Sequence, residues 1–120
     1  MHRVKVFVSL SCVLLFLATA AGGFAAAEPQ RGRSSQLQRG REVYTASCRR
    51  CHGDDGAGHT RLAETVEPPD MTDPAWQRGR STSRMIASVA NGRGQMPAFR
   101  KRLSRQEIAA AVAYVRTLRR

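Results

Sequence analysis

The stretch Cys48-Arg49-Arg50-Cys51-His52 sets two thiols and an imidazole within five residues. Thiols three positions apart at the end of a helix can each add to one vinyl group of a porphyrin. A histidine directly after the second thiol is then carried beneath the metal. Cys-x-x-Cys-His is, for that reason, the spacing of c-type haem attachment. Three other chemistries share some of these residues. A thioredoxin-like redox pair needs a strand-to-helix junction, and no strand pattern precedes Cys48. A zinc site built from Cys48, Cys51, His52 and His59 would need the adjacent Cys51 and His52 to serve one tetrahedron. A plain disulfide gives His52 no role. Haem uses all three residues, and His59, in a Gly-rich loop, reads as a solvent-facing side chain.

A haem iron held by one histidine needs a sixth ligand or keeps an open site. Three methionines follow Ala27. Met85 lies on an apolar helical stripe, where packing accounts for it. Met71 precedes a helix cap and could pack against the porphyrin edge. Met96 sits in Asn91-Gly92-Arg93-Gly94-Gln95-Met96-Pro97-Ala98-Phe99, a Gly-rich loop that gives an apolar side chain no packing role. Met96 is therefore the expected axial ligand and Met71 the alternative. Methionine opposite histidine raises the reduction potential, because a neutral soft sulfur favours the ferrous state.

The elements that must hold these groups read as helices. Leu37, Val43, Tyr44 and Cys48 fall near one face, which predicts a helix from about 36 to 48. Residues 53–72, with Gly53, Gly56, Gly58, Pro68 and Pro69, read as a long loop, organised by something other than protein. Asp73 is a cap with Pro74 at the first helical position. Ser81 caps the next helix, where Met85, Ile86 and Val89 share a face and Asn91-Gly92 stops it. Ser104-Arg105-Gln106-Glu107 is a capping box, opening a helix with Ile108, Ala111, Val112, Val115 and Leu118 in an apolar stripe. The pattern is all-α.

Upstream, Arg3 and Lys5 precede the apolar run Val6–Leu17, and small residues lead to Ala25-Ala26-Ala27. That order describes a secretory signal peptide. The expected division is a signal peptide over 1–27, a flexible polar tail over 28–35 and a haem domain over 36–120. Eighteen of the 20 basic residues and all nine acids follow Ala27, a net charge of +9. In an exported protein such charge points to acidic protein faces or anionic lipid rather than nucleic acid. From Glu28 onward only 18 of 93 residues are Val, Ile, Leu, Met, Phe, Trp or Tyr. So few supply about 3–5 kcal/mol from a core of their own, so a staple is needed.

With these residues in view, the chain resembles a small class I cytochrome c of the bacterial periplasmic kind, over about residues 37–118. Gly40 and Tyr44, four apart before the haem motif, fit the family's first helix, and Tyr114 fits the aromatic residue that packs on that glycine from the last helix. The resemblance implies a cytochrome c fold, three main helices plus a short one wrapped around a covalently bound haem. It also implies that the Pro69 carbonyl accepts a hydrogen bond from the His52 ring, a contact that fixes the tautomer.

The expected function is that of a monomeric, non-enzymatic one-electron carrier in the periplasm, holding one haem c on Cys48 and Cys51 with His52 and Met96 on the iron. Its partner would be a redox protein with an acidic docking face, and a membrane would be met only through that partner or an uncut leader. Arg49, Arg50, Arg93, Arg100, Lys101 and Arg102 are the candidate docking rim. The alternative is a dedicated electron-accepting subunit of a periplasmic dehydrogenase or oxidoreductase. An open sixth position would instead make a ligand-binding haem protein.

Overall fold

A computed structural model describes residues 28–120, and the expected signal peptide lies outside the described residues. Six helices follow in order: α1 (Glu28–Ser47), α2 (Arg49–His52), α3 (Ala63–Val66), α4 (Pro74–Arg78), α5 (Thr82–Asn91) and α6 (Arg105–Thr117). The sole β feature among the described residues is an isolated bridge between Arg93 and Met96. The fold is all-α, with α1, α5 and α6 as the three main helices.

Two elements depart from the sequence expectation. α1 starts at Glu28 instead of 36, so residues 28–35 are helical rather than an irregular tail. Proline in a first turn breaks no intrahelical bond, and the Ser34 and Ser35 hydroxyls donate back to the Arg31 and Gly32 carbonyls. Residues 30–36, about two turns, are nevertheless exposed. The second departure is α3, inside the segment read as loop. The Thr60 hydroxyl accepts from the Ala63 N–H at 3.0 Å, and Glu67 closes the helix in the left-handed region at φ 45°. Three short helices therefore accompany the main ones.

α1 and α6 cross at Gly40. A Cβ there would stand 2.1 Å from the Ala110 carbonyl oxygen and 3.0 Å from the Tyr114 Cβ. Only glycine permits that approach. One turn further, the Tyr44 and Tyr114 rings meet at 5.3 Å with a 58° tilt, a favourable aromatic geometry. Tyr44, Met71, Met85, Val112 and Val115 form the buried cluster, with Cys48, Trp76, Ile86, Val89, Tyr114 and Leu118 half-buried around it.

Local chemistry sets the other boundaries. Both Asp73 carboxylate oxygens accept α4 N–H groups, at 2.8 and 3.3 Å. Ser81 accepts from Arg84 at the start of α5. Gly92, at φ 78°, ends α5. Ser104 and Glu107 complete the reciprocal capping box of α6.

Candidate functional site

Cys48 stands between α1 and α2, and its backbone N–H donates to the Tyr44 carbonyl at 2.8 Å. The chain then turns once, and the Cys51 and His52 N–H groups both donate to the Cys48 carbonyl. One short helix thus presents Cys48, Cys51 and His52 together. Tyr44 clamps the exit: its hydroxyl donates to the Gly53 carbonyl at 2.7 Å. Gly58 N–H to His52 carbonyl, at 2.8 Å, folds the following loop back onto the motif.

Both cysteines are free thiols and half-buried. Burial, and then the neighbouring Cys51, push the Cys48 thiol up to about 11, so it is protonated at neutral pH. Burial lowers the proton affinity of His52, which keeps the imidazole neutral and its lone pair available to a metal. The His52 Nδ1 is buried with no hydrogen-bond partner.

The expected bond from His52 to the Pro69 carbonyl is not formed. Pro68 takes the packed position, its Cγ 3.4 Å from where a Gly58 Cβ would lie, and leaves Pro69 exposed. The two candidate sulfur ligands are placed differently. Met71 is buried in the helical core, at 6% exposure. Its N–H donates to the Gly56 carbonyl and its carbonyl accepts from Gln77 Nε2. Met96 is half-buried in a tight turn. Arg93 and Met96 exchange both backbone hydrogen bonds at 3.0 Å, with Gly92 and Gly94 at φ 78° and 57°. A Cβ on Gly92 would lie 2.7 Å from the Met96 carbonyl oxygen, so glycine is required there.

That turn is tied to the motif through α3. Gln95 Nε2 donates to the Thr65 carbonyl at 3.3 Å, and the Thr60 hydroxyl, which starts α3, donates to the Cys51 carbonyl at 3.2 Å. The segment with Met96 and the one with His52 are thereby held in one frame. His59 is exposed, as expected, in a cavity of about 610 Å³ between the 58–61 turn and Pro68 that includes none of the motif residues.

One buried feature was not singled out from the sequence. Trp76 Nε1 is the second buried side-chain donor without a partner. Its helix start was legible, but its role was not; the available signal was that it is the chain's single tryptophan. His52 Nδ1 and Trp76 Nε1 are the buried side-chain nitrogens left unpaired among the described residues. Buried N–H groups are otherwise almost always paired. The donor set, two thiols, an imidazole and a thioether, fits haem c.

A family model described as cytochrome c oxidase, cbb3-type, subunit III matches residues 35–115. The chain is 35% identical over 88 residues to the cbb3-type cytochrome c oxidase subunit FixP of Azorhizobium caulinodans, covering 72% of this chain and 29% of that protein. It is 37% identical over 79 residues to cytochrome c6 of Bryopsis maxima, covering 66% of this chain and 88% of that one. The solved structure of the KustC0563 c-type cytochrome superposes with a TM-score of 0.64 at 32% identity, over 68% of this chain and 98% of that one. The chain thus spans less than a third of the cbb3-type subunit it matches and nearly all of the small cytochromes.

Proposed function

The chain belongs to the family described as cytochrome c oxidase, cbb3-type, subunit III, within the c-type cytochromes, and we propose on that premise that it is a monohaem one-electron carrier. Haem c, covalently bound, supplies an iron that gains and loses single electrons. Cys48 and Cys51 provide the two attaching sulfurs. His52, kept neutral by burial, would give the iron an imidazole nitrogen, and Met96 would give it a thioether sulfur. The presentation of Cys48, Cys51 and His52 on one turn, with burial holding the imidazole neutral, carries this reading.

Were His52 and Met96 both to bind the iron, no position on it would be left for a substrate, which favours a carrier over an enzyme. The leader-like residues 1–27 favour a periplasmic location. Arg49, Arg50, Arg93, Arg100, Lys101 and Arg102 are all exposed and flank the motif and the Met96 turn. Arg49 lies 3.4 Å from Asp54, and Arg100 donates to Asn91. The others retain free donors for an acidic partner. Weak redox encounters bury under about 1,200 Å², and an electrostatically steered one slows as salt rises.

Similarity to FixP favours a second reading, in which the chain is the electron-accepting subunit of an oxidoreductase complex. Visible spectroscopy of protein made in a host with cytochrome maturation tests the first claim. A pyridine haemochrome of the thioether type is expected, and a colourless product would overturn it. Stable co-purification with an enzyme at high salt would select the subunit; salt-sensitive, transient electron transfer would select the free carrier.

A further inference from the structure

We propose that the cavity between α4 and the end of α6 is a phosphate site, built by Arg78, Arg80, Arg116 and Arg119, that takes a phosphate group either free or on the headgroup of an anionic lipid. The cavity has a volume of about 460 Å³ and is lined by these four arginines and Gln77. That size is ordinary for a ligand site, about 300–1,000 Å³. No acid lines it. The ion pairs among the described residues use Arg39, Arg49 and Arg120, and none of these four.

The site is built rather than a chance grouping of surface charge. Gln77 is 3% exposed, and its Nε2 donates to the Met71 and Val115 carbonyls, which fixes the amide. Its Oε1 faces inward to Arg116 at 3.0 Å. The Arg116 guanidinium also donates to the Gln77 and Arg80 carbonyls and to the Thr82 hydroxyl. Those partners are all neutral, so its charge is held in place and uncompensated. Arg80 is also fixed, its guanidinium 4.5 Å from the Trp76 ring centroid. Arg78 and Arg119 are exposed, and their side chains have no hydrogen-bond partner among the described residues. Two anchored cations beside two free guanidinium forks suit a tetrahedral anion, because each fork can bind two phosphate oxygens. A carboxylate offers only two oxygens and would leave forks unfilled.

The test uses haem-loaded, reduced protein. Inorganic phosphate is titrated at constant ionic strength against chloride, following the arginine Nε–H and backbone signals by NMR. Pelleting with phosphatidylglycerol vesicles, and with phosphatidylcholine vesicles, provides the second arm. The double variant Arg78→Gln/Arg119→Gln removes the free forks; Arg31→Gln/Arg33→Gln removes the same charge from the exposed start of α1. Circular dichroism checks that both fold. We expect saturable shifts at Arg78, Arg80 and Arg119, with affinity reduced tenfold or more in the first variant and less than threefold in the second. If vesicles bind with that same dependence while free phosphate does not saturate, the lipid headgroup is the source. If phosphate saturates while both variants pellet alike, the source is free phosphate. Equal losses in the two variants with no saturation by phosphate would overturn the proposal in favour of diffuse attraction.

Discussion

At the scale of single residues, the two methionines separate by their surroundings. Met96 sits in a backbone-closed turn and is only partly buried, whereas Met71 is packed among Tyr44, Met85, Val112 and Val115. Met96→Ala is expected to abolish the weak band at the red end of the ferric spectrum and to lower the reduction potential. Met71→Ala should keep that band and instead lose about 2–5 kcal/mol of stability, the usual cost of emptying a packed site. A spectrum and an unfolding curve on each variant check both outcomes; persistence of the band in Met96→Ala would move the ligand to Met71. The haem-attachment motif was legible in the sequence because its chemistry depends on residue type and spacing, and the Gly-rich turn around Met96 was legible from its glycines. The environment of Pro69 was not. Which of two consecutive prolines is packed depends on the fold-back of the 53–58 loop, and residue type says nothing of that. Trp76 was equally hidden, since an unpaired N–H exists only once its surroundings are dry.

At the scale of elements, local signals held, and so did the expected packing of Tyr114 at Gly40. Asp73, Ser81 and the Ser104–Glu107 box were readable because a cap is made within four residues. The first eight residues of α1 were not, because they are polar, exposed and without apolar periodicity. The crossing of α1 and α6 gives a direct test. Gly40→Ala gains up to about 1 kcal/mol of helix propensity. It also drives a methyl into the Ala110 carbonyl, which is backbone and cannot rotate away. Overpacking costs about 1–3 kcal/mol, so urea unfolding should show net destabilisation. The α6 box supplies a pH test. Bonds from the Ser104 N–H and hydroxyl, then Arg39, hold the Glu107 carboxyl below its ordinary 4.5. A carboxylate with a depressed folded value contributes its stability above the ordinary value and loses it as pH falls through the depressed one. Wild-type melting temperature should therefore fall on acidification below about pH 4.5 more steeply than that of Glu107→Gln.

At the scale of the molecule, eleven hydrophobic residues are buried among those described, three of them only alanine. A core this small supplies about 3–5 kcal/mol, so the chain expressed without haem maturation is expected to show no cooperative thermal transition by circular dichroism. Cooperative melting of that haem-free chain would mean the protein core suffices. The paired backbone bonds between Arg93 and Met96, the left-handed glycines around them and the Gln95 tether to α3 have a consequence for speed. With Met96 as the proposed ligand, the main chain would seat the sulfur without help from iron, and oxidised and reduced forms would be expected to share one loop geometry. Little nuclear rearrangement would then accompany each exchange, leaving the rate to partner distance and driving force.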